Sequence, residues 1–167
     1  MNLISIAEKY LGQKEVAGPD SNQWILGLWA TIPWIWSTVT RKDDTLLAWC
    51  GAFLRLVLTE ANLTPPKNWF RAREYLAYGY ELKSPVRGCI GVIKTGKQWH
   101  VGIIAGQDAK GNIVMIGGNQ NDSVKYSSFK REVFQGYRCP WTTVKECYEM
   151  SLEELPVIEA QLSTSQS

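Results

Sequence analysis

At 167 residues the chain has the length of one ordinary domain, since a single hydrophobic core serves roughly 100 to 200 residues before chains divide. Apolar residues make up 45% and charged residues 20%, a balance that excludes a disordered or collagen-like chain and points to a globular one. The net charge of +2, without a long Lys/Arg block, provides no basic track for a phosphate backbone, so nucleic acid is not expected as a partner.

The N-terminus, Met1-Asn2-Leu3-Ile4-Ser5, lacks the basic start and unbroken apolar stretch of a secretory signal, which implies a protein made and held in a reducing cytoplasm. Ser5 and Glu8 form a capping-box pattern, and Ile6, Ala7, Tyr10 and Leu11 recur at helical spacing up to Gly12, predicting a first helix. A loop follows at Gly18-Pro19-Asp20, and Asn22 is placed to cap a short second helix around Trp24 to Leu28 that Pro33 ends. The segment from Ser21 to Thr40 carries no charge and holds Trp24, Trp29, Trp34 and Trp36. Asn22, Gln23, Gly27, Pro33 and several Ser/Thr interrupt it, whereas a membrane span wants about 20 predominantly apolar residues. It reads as a core helix followed by an aromatic loop, whose rings are suited to line a groove for a sugar or peptide.

Asp44 or Thr45 is placed to cap a third helix that carries Leu46, Leu47, Trp49, Cys50, Phe53, Leu54, Leu56, Val57 and Leu58, apolar almost all round and therefore central. Pro65-Pro66 breaks the chain, Asn68 caps a fourth helix running to Tyr78, and Gly79 stands as its left-handed stop. After Pro85 the pattern changes to short Val/Ile-rich runs at Cys89–Ile93, His100–Ala105, Ile113–Ile116, Val124–Ser128 and Gln135–Cys139. Turn residues such as Thr95-Gly96-Lys97 and Asp108 to Asn112 separate them. Helices followed by strands predict an α+β fold, N-terminal helices packed on an antiparallel sheet, over residues 1–140. Residues 141–167 form a C-terminal extension, with a short helix at Pro156–Leu162 and a disordered end at Ser163–Ser167.

The four cysteines, Cys50, Cys89, Cys139 and Cys147, contain no C-x-x-C pair and share the chain with a single histidine, so neither a metal site nor a disulfide framework is indicated. Cys50 lies near the start of the buried third helix, where unpaired N–H groups and the helix dipole favour a thiolate, although a free cysteine is also a common packing residue. His100 is the sole imidazole and opens a strand, a position from which it can meet a helix-borne sulfur. A turn centred on Ala109-Lys110 sets His100 opposite Asn119, and a bulge at Gly111 shifts its partner to Gln120. Either amide can orient the ring, and composition alone reads Gly117 to Asp122 as a turn-rich loop.

The strings Trp49-Cys50-Gly51-Ala52-Phe53, Ala72-Arg73, His100-Val101-Gly102, Gly117-Gly118-Asn119-Gln120 and Gly136-Tyr137-Arg138 resemble, in order and spacing, the NlpC/P60 and CHAP superfamily of cell-wall peptidases, particularly its phage-associated members. The resemblance implies a papain-like fold with Cys50 as nucleophile, His100 as base and Asn119 as the residue that orients it. It further implies Trp49, Gln120 and Trp99 as substrate-binding residues, and neither metal nor cofactor. It implies bacterial peptidoglycan as substrate, cleaved at an amide bond of the stem peptide by a monomeric phage endolysin. Such an enzyme waits in the host cytoplasm without stable membrane insertion, is released through a holin and acts in the periplasm or cell wall. An antibacterial effector with an immunity protein is the alternative with the same chemistry, and a non-catalytic wall-binding module is a third. Two departures stand out: many relatives carry Gly-Asp-Ile where this chain has Gly88-Cys89-Ile90, and some carry an acidic residue at the position of Gly117. Both leave a triad without a supporting carboxylate.

Overall fold

A computed structural model of the chain describes residues 2–17, 20–31, 48–151 and 154–162. The expectations for Gly18-Pro19, Pro33, Trp34, Trp36, the Asp44 or Thr45 cap, Leu46-Leu47 and Ser163–Ser167 fall outside these residues. The described chain is α+β, built on one six-stranded antiparallel sheet. Its strands are β1 (Tyr80–Leu82), β2 (Ile90–Thr95), β3 (Gln98–Gln107), β4 (Ile113–Gly117), β5 (Lys125–Phe129) and β6 (Phe134–Cys139), in the order β1-β6-β2-β3-β4-β5. The strand-rich run after Pro85 is therefore as the alternation predicts, with β1 as an unforeseen edge strand too short to show a period.

The helices are α1 (Leu3–Glu8), α2 (Gln23–Gly27), α3 (Cys50–Glu60) and α4 (Val144–Ser151). Asn22 caps α2 as expected, accepting from the Trp24 and Ile25 N–H groups at 2.9 and 3.4 Å. Helix α1 is capped by Asn2 rather than Ser5: the Asn2 side chain reaches the Ile4 N–H at 2.9 Å and starts the helix before the predicted capping box. The expected fourth helix contracts to a 3-10 helix at Ala72–Ala77, entered from an extended Arg71 without a side-chain cap, while Gly79 does adopt the left-handed conformation at φ +60°.

Two apolar clusters fill the two faces of the sheet. On one face α1, α2, α3 and the 3-10 helix bury Leu3, Ile6, Trp49, Phe53, Leu54 and Leu58 against Val101, Ile103 and Ile116. On the other, Ile93, Ile104, Ile113, Met115 and Phe129 pack with Cys89, Cys139, Cys147 and Met150. Strand alternation produces the division, because neighbouring residues such as Ile103 and Ile104 point to opposite faces.

The C-terminal extension differs from expectation in three respects. Its helix is α4, opened by a capping box in which Thr143 Oγ1 accepts from the Glu146 N–H at 3.2 Å and Glu146 Oε2 accepts from the Thr143 N–H at 3.2 Å. Residues 156–162 form no helix. The chain there is extended, with Pro156 O accepting from Gln107 N–H at 2.9 Å, Gln107 O accepting from Ile158 N–H at 2.8 Å, and Gln161 O accepting from Ser128 N–H at 2.9 Å. Backbone groups left over at the sheet's end outweigh the local helix signal of Pro156. Finally, Cys139 and Cys147 form a disulfide with a Cα–Cα distance of 5.7 Å, which overturns the expectation of none. The pairing is created by packing: β6 ends at Cys139, and α4 turns back to bring Cys147 onto the same face.

The extended tail depends on a close backbone approach at Gly106. A Cβ added there would stand 2.3 Å from Pro156 O and 2.8 Å from Ile158 Cδ1. Gly106→Val is expected to free the tail without unfolding the sheet. Hydrogen exchange should then accelerate at the Gln107, Ser128 and Ile158 amides while the amides of β2 and β4 stay protected; uniform acceleration would show that the tail is integral to the core.

Candidate active site

Cys50 is the first residue of α3, and the only preceding cap is the Trp49 backbone, whose carbonyl accepts from Phe53 N–H at 2.9 Å. The nucleophile candidate therefore sits at the very tip of the helix, later in the segment than the expected Asp44 or Thr45 start implies. Three backbone N–H groups, those of Val101, Gly51 and Cys50 itself, lie close enough to the sulfur to favour its thiolate. Burial outweighs them. The thiol is 3% exposed and its pKa is raised, which corrects the expectation that the helix tip lowers it.

The Val101 N–H explains where the sulfur lies. Ile104 N–H turns toward β2, donating to Cys89 O at 2.8 Å, so alternation turns Val101 N–H toward β4. The ladder between β3 and β4 stops at the Ile103–Ile116 pair, two residues short of Val101. Cys50 approaches the Val101 N–H from the helix face.

His100 lies on the other face of the sheet. The ring lies on the face of Ile93, its register partner on β2, and packs at 5.7 Å against Phe129. It is 2% exposed. Sulfur and imidazole are thus neighbours across the single peptide unit that joins His100 to Val101, but no hydrogen bond joins them and the two side chains belong to opposite faces.

The ring's partner is Gln120. His100 Nε2 and Gln120 Oε1 are 3.1 Å apart, and the Gln120 Nε2 donates to Met115 O at 3.2 Å and to Lys125 O at 2.5 Å. Only an NH2 group satisfies two carbonyls, so the amide's orientation is fixed and Oε1 is left to accept. His100 Nε2 must then be the protonated nitrogen, which leaves Nδ1 as the basic one. Asn119, expected to play this part, lies opposite His100 in the extrapolated β3–β4 register, yet the ring bonds to the next residue. The irregularity in that ladder lies at Ala105, between the Ile104–Met115 and Gly106–Val114 pairs, rather than at Gly111. The left-handed conformations of Asn119, Asn121 and Asp122, at φ 57°, 48° and 61°, then curl the chain so that Gln120 swings back under β4.

Of the expected substrate-binding residues, Trp49 is fully buried and Gln120 is 2% exposed and engaged with His100, so neither faces a ligand here. Trp49 packs edge-on against Trp24 and Phe53, donates from Nε1 to Glu15 Oε1 at 2.7 Å, and lies over Gly118, where a Cβ would come within 2.6 Å of the indole. It couples α3 to the loop that carries Gln120. Trp99 alone keeps a partly exposed ring, with Lys94 Nζ 5.3 Å from its centroid. Trp29 is buried and Trp24 half-buried in the helix-face core, stacked on Tyr10.

One residue was missed: Tyr75, buried in the 3-10 helix, donates its hydroxyl to Gly51 O at 3.0 Å. Burial raises its pKa well above the usual phenol value, and the charge of a Cys50 thiolate adds to the rise, which places it beside the sulfur. Only the Tyr75–Tyr78 spacing in the sequence hints at it. The two described cavities lie elsewhere, one lined by Asp108–Asn112 and the tail, the other by Asn2, Arg87, Trp141 and α4. Among the described residues no three metal-ligating side chains converge, and no described helix is long and apolar enough to cross a membrane. No family model, curated protein or solved structure matches the chain.

Burial pushes the His100 pKa down to about 4 from an ordinary 6.5, the Gln120 bond opposing it. Between those values the unfolded chain binds a proton that the folded ring refuses, so folding stability falls as pH drops through 6.5 toward 4 and levels off below. The loss amounts to about 3 kcal/mol. Urea unfolding at stepped pH should show it in wild type and not in His100→Gln; parallel curves would mean that the ring is not buried as described. Nitrogen-15 spectra of the same wild-type protein at neutral pH should show the Nε2–H tautomer, and Gln120→Leu should remove that preference.

Proposed function

We propose that the chain is a cysteine hydrolase that cleaves an amide bond of the peptidoglycan stem peptide, with Cys50 as nucleophile, His100 as base and Gln120 in the orienting role. The observation that carries the reading is the fixed Gln120–His100 pair one peptide unit from a sulfur at a helix tip. A histidine oriented by an amide with its remaining nitrogen basic, and a thiol at a helix tip, are the parts that nucleophilic catalysis requires; here they lie on opposite faces of the sheet and must meet for the reaction. The papain-like NlpC/P60 and CHAP resemblance supplies the substrate class.

In this reading the Cys50 proton passes to His100 Nδ1 as sulfur bonds to the substrate carbonyl carbon. The tetrahedral intermediate collapses to a thioester when the imidazolium protonates the departing amine and the C–N bond breaks. Water, losing its proton to Nδ1, attacks the thioester and returns the thiol. The Cys50 backbone N–H is placed at the helix tip to receive the oxyanion. A raised thiol and a depressed imidazole oppose the first proton transfer in this arrangement. Contact between sulfur and ring favours both charged forms at once, so the reading requires the two side chains to meet.

The biological role that fits is a phage endolysin, with an injected antibacterial effector as its rival. The Cys139–Cys147 disulfide supports a working life in an oxidising periplasm under either role. The burial of both groups without a mutual hydrogen bond favours a second reading, a wall-binding module that keeps the architecture without turnover. Purified cell walls distinguish the two. Wild type should release labelled fragments and Cys50→Ala none, while Gln120→Ala loses about a hundredfold in kcat and Asn119→Gly, which keeps the left-handed turn, much less. Equal release by wild type and Cys50→Ala would remove Cys50 from the mechanism; wall binding without any release would establish the module.

A further inference from the structure

We infer that Lys94 and Trp99 form a subsite for a free carboxylate on the substrate peptide, an inference that rests on the hydrolase reading above. The two residues are register partners on β2 and β3, next to the Thr95–Gln98 pair that closes the hairpin. Ile93 belongs to the His100 face, so its neighbour Lys94 points to the opposite face, and Trp99 packs against the helix-face cluster that contains Cys50. Trp99 and Val101 share that face two residues apart, roughly 7 Å along the strand. Because the sulfur sits at the Val101 N–H, the Lys94–Trp99 pair lies on the face of the sheet from which the thiol arrives.

The pair's chemistry defines its ligand. Lys94 is exposed, its ammonium is held 5.3 Å from the centroid of the Trp99 ring, and among the described residues no carboxylate pairs with it. An indole face flanked by a positioned cation offers apolar contact to a peptide or sugar and charge to an anion. Lys97 at the hairpin tip adds a second positive charge of the same sign. A stabiliser of the hairpin alone would need no particular place on the sheet; this pair stands beside the sulfur, where an acidic stem peptide would lie.

Binding of two soluble disaccharide-peptides to the full-length Cys50→Ala protein, measured by calorimetry, tests this. One ligand has free side-chain and α-carboxylates, and the other has them amidated. The free acid should bind more tightly, and adding Lys94→Gln should weaken it about fivefold, the scale of one exposed ion pair, with no effect on the amide. Lys94→Arg should restore the preference, and Trp99→Ala should weaken both ligands. Equal loss for acid and amide, or none for either, would overturn the subsite. Turnover of the same compounds by wild type is scored separately. Cleavage with an indifferent Lys94 defeats the subsite and leaves the hydrolase, whereas carboxylate-selective binding without cleavage defeats the hydrolase and leaves the subsite.

Discussion

The arrangement of the candidate site rests on one side-chain amide. Gln120 donates to the Met115 carbonyl in the middle of β4 and the Lys125 carbonyl at the start of β5, and these two bonds leave its oxygen a single direction, toward His100. Around it the loop is built to let that amide in. A Cβ on Gly117 would stand 3.1 Å from Gln120 Oε1, and one on Gly118 would collide with Trp49 and Phe53. Asn119, Asn121 and Asp122 occupy the left-handed region that their short polar side chains tolerate better than other residues. The stretch from Gly117 to Asp122 is therefore a bracket for one glutamine, fastened on its outer side where Gly12 and Glu15 donate to the carbonyls of Val124 and Asp122.

A buried amide in that place has an electrostatic consequence. Its oxygen accepts from a neutral imidazole as well as from a charged one, so it selects a tautomer without forcing protonation, and the apolar walls formed by Phe129 and Ile93 keep the ring neutral. The chain thus holds a neutral ring on one face of the sheet and a buried thiol of raised pKa on the other.

Much of the fold was readable because its signals are local. Asn22 caps α2 by direct bonds to the next turn, and the strands after Pro85 follow from alternation and turn residues. Cys50 was readable as a residue at a helix start, whereas the strand that His100 was expected to open begins two residues earlier, at Gln98. What was not readable depends on packing at a distance. The choice of Gln120 over Asn119 needs the loop's left-handed turns and the two carbonyls that hold the amide. The burial of Trp49 needs Gly118 beneath it. The raised thiol pKa needs the whole helix-face core, since helix-tip donors are present as expected and are simply outweighed. Thr143 and Glu146 are different: their capping box stood in the sequence, and the proline at 156 drew attention to the wrong segment.

The extension's place in the sheet limits what it does. The tail bonds to Gln107 at the far end of β3, seven residues from His100 or roughly 23 Å along the strand. Helix α4 is anchored by Cys147 and Met150 beside Cys89 and Cys139, again at the end of the sheet away from Gln120. Neither element touches Cys50, His100 or Gln120. Their contribution is to the free energy of the sheet: the tail satisfies backbone groups at Gln107 and Ser128 that would otherwise face solvent, Ile158 joins one core and Leu155 the other, and the disulfide ties α4 to the last strand. The extension therefore acts on the end of β3 remote from His100, beyond the irregularity at Ala105.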